Sequence, residues 1–286
     1  MNRSLGDLTL IPEDGGSQYW LQEYGYNTQR SYGDTAGFTS TGFSFAGGRE
    51  RPVFGDNMLG VYMQITSSSP RDTFAIAKEI EVASDYALGG YWRYSGGNFK
   101  AWAHAGAGFD NFHTVRELLT AYVDHVARAG WSGYSVSAGA GASYKIQAGG
   151  FAFTPQWLTD YYRLDEMKHS ESGGGDYFDL DIAQRTGHVF SSTAMLDVGY
   201  TKAFIRPELW VGYKQNISST VGDTTANFTG GDAFTLTGGN IQGGGPLVGL
   251  RLSVDNPYSY FALESEYEKT NGYSNASFSL RTRFQF

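Results

Sequence analysis

From Ala276 to Phe286 the chain alternates with period two. Ala276, Phe278, Leu280, Thr282, Phe284 and Phe286 fall on one side, and Ser277, Ser279, Arg281, Arg283 and Gln285 on the other. This pattern predicts a strand with one apolar and one polar face. The preceding run alternates too. Phe261, Leu263 and Tyr267 oppose Glu264, Glu266 and Glu268, with Ser265 the exception. Thr270-Asn271-Gly272-Tyr273 joins the runs, and Asn-Gly is the strongest short hairpin signal. A two-residue turn there sets Glu264 opposite Ser279 and Glu266 opposite Ser277. Both polar faces then share a side, so turn and alternation support one register. That face carries a predicted lumen charge cluster of Glu264, Glu266, Arg281 and Arg283. A soluble sandwich would bury the apolar face. A membrane barrel would turn it to lipid and keep the charges inside.

The alternation recurs along the chain. Ala101 to Phe109, Val136 to Tyr144, Ala194 to Tyr200, Ile205 to Tyr213 and Val248 to Val254 alternate with positions rich in Gly, Ser and charge. About twelve strands are predicted, near 18–30, 36–46, 57–67, 79–94, 98–115, 122–146, 151–166, 177–201, 203–217, 241–255, 258–269 and 274–286. An even count puts both ends of a closed barrel on one side. The connections alternate in length. Ser95-Gly96-Gly97, Gln147 to Gly150, Lys202-Ala203 and Asp255-Asn256-Pro257 are short. Ser67 to Lys78, Lys168 to Asp176 and Ser218 to Asn240 are long or polar. Outer-membrane barrels place the short set in the periplasm and the long set outside. The Asn271-Gly272 turn is short on the long side, and Arg49-Glu50-Arg51-Pro52 is predicted as a longer turn on the short side. The fold class is therefore all-β, a twelve-stranded antiparallel transmembrane barrel. Residues 17–286 form one domain, and 1–16 are a separate lead-in.

Composition qualifies this picture. The 286 residues include 20 Tyr, 19 Phe, 6 Trp and 39 Gly, yet mean hydropathy is −0.35. Averaging two opposite faces hides a lipid-facing band. Charged residues are 17%, against about 25% in a typical soluble domain. The net charge of −8 argues against nucleic acid as a partner, because such binders carry a basic stripe. The absence of cysteine excludes disulfides, thiolate metal sites and cysteine nucleophiles. No run of about 20 apolar residues marks a transmembrane helix. Met1 to Gly16 lacks the apolar core of a signal peptide, so either the protein is cytosolic or the chain starts inside a longer precursor. A short helix is predicted from Ser4 to Ile11, ended by Pro12 and Gly15-Gly16. Even eleven helical residues span only about 16 Å, so such a piece fills a barrel only partly.

Candidate chemistry is sparse. His104, His113, His125, His169 and His188 lie outside metal-binding spacings. His104 is predicted to be a hydrogen-bonded lumen residue. Gly173-Gly174-Gly175 and Gly243-Gly244-Gly245 lack the ending of a phosphate loop. Asp110 with His113, near Asp124 and His125, would be a rim pair able to activate water, or simply solvated loop residues. No catalytic, cofactor-binding or metal residue is assigned. The charge cluster would set pore selectivity, grip a transiting chain, or neutralise a lumen wall and hold strand register.

At these residues the chain resembles the translocator β-domain of type V secretion autotransporters. Ser17-Gln18-Tyr19-Trp20 resembles the family's Trp-containing first strand. Phe109 to Arg116 and Ala127 to Tyr144, with Trp131-Ser132-Gly133-Tyr134, resemble its long fifth–sixth hairpin. Phe153-Thr154-Pro155 resembles its Leu-Thr-Pro element, Ser170 to Gly175 its Ser/Glu-Gly-Gly loop, and Phe284-Gln285-Phe286 its aromatic ending. The resemblance implies a barrel in the bacterial outer membrane, at the end of a large precursor, that delivers a passenger domain to the cell surface. It implies membrane lipid, periplasmic chaperones and the barrel-assembly machinery as partners, a monomer, and no cofactor. Phe284 and Phe286 would be the assembly signal. Residues 1–16 would be a remnant of the plug segment. Some members cut themselves at an Asn-Asn pair in that segment; Asn2 stands alone here, so the resemblance carries no such activity. The other readings are a stand-alone pore or adhesin barrel and an outer-membrane hydrolase with a rim site.

Overall fold

The structure, a computed structural model, describes residues 2–6, 16–31, 37–72, 78–119, 124–175, 177–239, 241–256, 258–270 and 272–285. Twelve long strands follow one another: β1 (Gln18–Arg30), β2 (Phe38–Phe54), β3 (Asn57–Asp72), β4 (Lys78–Gly96), β5 (Phe99–Leu119), β6 (Asp124–Tyr144), β7 (Phe151–Glu166), β8 (Arg185–Tyr200), β9 (Arg206–Thr220), β10 (Gly243–Asp255), β11 (Ser259–Thr270) and β12 (Tyr273–Gln285). Each pairs antiparallel with its neighbours, and β12 closes on β1 from Gln18 opposite Gln285 to Arg30 opposite Tyr273. Closure gives each barrel strand a hydrogen-bonded neighbour on both sides, which is what a lipid environment demands.

The face assignment holds in the last four strands. Leu209, Val211, Tyr213, Val248, Leu250, Leu252, Phe261, Leu263, Tyr267, Phe278 and Phe284 point outward and are exposed. Arg251, Glu264, Glu268, Arg281 and Arg283 point inward and are buried. The last hairpin has the register derived above, with Glu264 opposite Ser279 and Glu266 opposite Ser277. Asn271 of its turn lies outside the described residues; Gly272 takes φ 87° there, which only glycine adopts without strain.

Several expectations are corrected. Arg49 to Pro52 is not a turn. β2 runs through it, and the chain reverses at Gly55-Asp56. Glu50 alternates inward with Arg49 and Arg51 outward, so the charges that suggested a loop are shared between two faces. The predicted strand at 177–201 begins only at Arg185. Upstream, His169–Ser170 and Leu180–Ile182 join Thr224–Phe228 and Phe234–Leu236 in a separate four-stranded sheet, built from the two longest loops at one end of the barrel. The inner wall is also less polar than predicted. Trp20, Tyr62, Tyr91, Trp102, Leu158, Met195, Trp210 and Leu247 form a buried cluster inside it. Cross-strand glycines make room for these rings: a Cβ on Gly249, directly opposite Trp210, would lie 2.1 Å from the indole.

Candidate functional site in the barrel lumen

Within the short-turn half of the lumen lies α1 (Asn2–Gly6). Residues 7–15, which include the remainder of the helix predicted from Ser4 to Ile11, lie outside the described residues. Leu5 is fully buried in the inner cluster. Gly6 packs so closely on Trp102 that a Cβ would lie 2.4 Å from its ring. The Gly6 carbonyl accepts a hydrogen bond from Lys100 Nζ at 3.3 Å, one residue from the short-turn end of β5. Arg3 reaches deeper. Its guanidinium lies 3.3 Å over the Trp210 ring and pairs with Glu266 at 3.2 Å, while Trp210 Nε1 donates to the same carboxylate at 2.8 Å. The segment therefore climbs from the short-turn end toward the long-loop end as it is followed back to its N-terminus.

The predicted charge cluster divides. Glu264 and Arg281 meet at 2.6 Å, and Arg251 donates to Glu264 at 2.5 Å and to Glu208 at 3.0 Å. One carboxylate thus ties together β10, β11 and β12. Glu266 turns to Arg3 instead, and Arg283 lies 3.7 Å from Asp255 and over Tyr260. Farther along, Lys214 pairs with Glu268 at 3.1 Å. On the wall formed by β2 to β4, Arg93 and Glu50, both almost fully buried, form a two-point pair. Arg251, Glu208, Lys214 and Glu50 were missed as partners. The inward parity of Arg251, Glu208 and Lys214 was readable, but the long 221–242 connection hides which β9 residue faces which β10 residue, and Glu50 lay in the turn predicted at Arg49 to Pro52. Between Arg3, Tyr24, Gln64, Trp210 and Arg281 a lumen cavity of about 360 Å³ remains.

At the long-loop end the sheet of loop strands is pinned to the barrel. Arg116 forms a two-point pair with Glu171 and also donates to the Phe178 carbonyl. Arg185 pairs with Glu166 at 2.6 Å, and Trp131 Nε1 donates to Glu166 at 3.3 Å. Trp131 stacks between Phe112, its cross-strand partner, and His169, whose ring lies 3.9 Å away and nearly parallel. Burial in this stack pushes the His169 imidazole below its usual pKa. Ser172 bonds Arg128 of β6 through both backbone groups, using the glycine-rich turn that follows it.

Other candidates fare differently. His104 is buried, but among the described residues its ring nitrogens have no hydrogen-bond partner, contrary to the expectation, and its ring meets Tyr62 edge-on. Asp110 points inward and His113 outward, since residues three apart on a strand take opposite faces. His125 pairs opposite Leu118 and His113 opposite Gly130, well apart along the hairpin, so no rim pair forms. Phe284 faces outward, between Tyr19 and Ser259; Phe286 lies outside the described residues.

No protein of curated function matches the sequence. Solved structures resemble it in fold. The translocator domain of the autotransporter NalP from Neisseria meningitidis superposes with a TM-score of 0.78 at 14% identity, over 99% of this chain and 92% of that one. The β-domain of the Bordetella autotransporter BrkA gives 0.68 at 12%, over 95% and 100%. The transport unit of AIDA-I from Escherichia coli gives 0.61 at 12%, over 99% and 96%. The family described as Autotransporter beta-domain matches residues 19–268, and the chain belongs to that family.

Proposed function

We propose that this outer-membrane barrel is the translocator of a type V secretion system, carrying a passenger joined ahead of residue 1 to the cell surface. The observation that carries this reading is the direction of α1. A chain that enters the lumen at the short-turn end and points its N-terminus outward is placed to lead into an external domain. Residues 1–16 then act as the inner end of a plug linker. Arg3, clasped between Trp210 and Glu266, and Gly6, seated on Trp102, hold it. Glu264 and Arg281, with Arg251 and Glu208, keep the neighbouring wall in register and present paired charges to the passing chain. Phe284 and Phe286 serve as the signal read by the barrel-assembly machinery, after periplasmic chaperones have delivered the unfolded strands.

The test is topological. An epitope fused ahead of residue 1, behind an export signal, should be digested by protease added to intact cells. Protection of the epitope in intact cells, with cleavage only after the outer membrane is opened, would overturn the reading.

A further inference from the structure

The outer wall carries a hollow near its periplasmic, short-turn end. Two cross-strand rows define it. Arg51, Leu59, Trp92 and Ala103 stand side by side on β2, β3, β4 and β5, and Arg49, Val61, Gly90 and Ala105 form the next row. Gly90, Ala103 and Ala105 remove side-chain bulk, whereas Leu59, Val61 and Trp92 supply it. The result is an open groove of about 730 Å³ in the lipid-facing surface. Ala138 and Ala140 of β6, opposite Ala105 and Ala103, continue its shallow floor.

The mouth of this groove is basic. Arg49 is exposed, donates to Ser17 Oγ at 2.9 Å and 3.2 Å, and lies 5.5 Å from the Tyr19 ring centre. Arg51 is exposed and has no ion-pair partner among the described residues. Glu50, between them in sequence, turns into the lumen to Arg93. Two guanidinium groups thus stand on the outer face near the short-turn end, and among the described residues no carboxylate is bound to either. Arginine matches a phosphate with paired hydrogen bonds. Lipid tails are as apolar as the wall, so an acyl chain gains little from the hydrophobic effect here. What selects it is close packing in a shaped recess together with the charge at its mouth.

We propose that the groove is a binding site for a phospholipid of the periplasmic leaflet. Its phosphodiester lies between Arg49 and Arg51, and one acyl chain lies over Val61, Gly90 and Ala105.

The full chain, released from membranes in mild detergent and supplied with phosphatidylglycerol, can be read by native mass spectrometry. The wild type should retain one phospholipid under conditions that strip the rest. Arg49→Gln with Arg51→Gln should lower that occupancy about tenfold. Ala105→Leu, which fills the groove and leaves both arginines, should lower it similarly. Leu250→Phe, on another stretch of outer wall, should leave it unchanged. Heat-modifiable migration in electrophoresis verifies that each variant is a folded barrel. Equal retention by the arginine pair variant would overturn the headgroup contact. Unchanged retention by Ala105→Leu would reduce the interaction to surface adsorption and overturn the site.

Discussion

Glu23 breaks the outer pattern of β1. It lies on β1 with the same outward parity as Tyr19 and Leu21, opposite Phe45 on β2 and Leu280 on β12, and it is exposed. No partner reaches it among the described residues. A carboxylate in the middle of an apolar band costs free energy, less than a basic residue at the same depth but in the same direction. Glu23→Leu should therefore stabilise the barrel by about 1–2 kcal/mol in lipid vesicles. The check is a urea unfolding curve followed by tryptophan fluorescence. A midpoint that stays put or falls means that Glu23 is not held against hydrocarbon. The alternation of strand one is readable in the sequence, but its central exception becomes visible only once both neighbouring strands are known.

At the scale of elements, the long-loop sheet is the least barrel-like part. It is held by the Arg116–Glu171 and Arg185–Glu166 pairs and by His169 stacked on Trp131. The His169 imidazole is held below its ordinary value of about 6.5, first by burial, with Arg185 adding to the effect and the Met167 carbonyl, Glu166 and Glu171 opposing it. The docked loop thus prefers the neutral ring, and the released loop takes up the proton more readily. Docking is complete above the released value and weakens as pH falls through it toward the docked value. Limited proteolysis of the 167–184 loop should be faster at pH 5 than at pH 7.5, and His169→Phe should remove most of that difference. Equal cleavage at both pH values in the wild type would show that the stack does not hold the loop. The Ser170 to Gly175 motif was recognisable in the sequence. Its role in bringing Ser172 back onto β6 was not, because that contact joins residues more than forty positions apart.

For the whole molecule, closure places the first and last strands side by side, so the C-terminal strand is a wall element as well as an end. Deleting Phe286 should reduce the folded barrel recovered from outer membranes several-fold. The same protein refolded in detergent should unfold close to the wild-type midpoint. Equal recovery from membranes would count against the assembly signal, and a comparable loss of stability in detergent would make Phe286 a packing residue instead. The twelve-strand count, both faces of most strands and the final hairpin register were legible because each depends on local alternation and a tight turn. The lumen network was legible only in part. Glu264 and Arg281 belong to one hairpin, whereas their partners Arg251 and Glu208 come from strands joined through other connections.

The sequence by itself determined that this protein is a barrel with a largely apolar exterior, that most strand charges face inward, and that the first strand starts at the end where the last strand finishes. Period-two alternation and turn chemistry are local, and a one-residue slip would move every side chain to the wrong face. The tertiary structure alone decided which inward residues meet, that aromatic rings rather than polar groups fill much of the lumen, and that a five-residue helix is seated there by Trp102 and Trp210. Those outcomes depend on curvature, on register across long loops and on the space left by facing glycines, none of which alternation encodes.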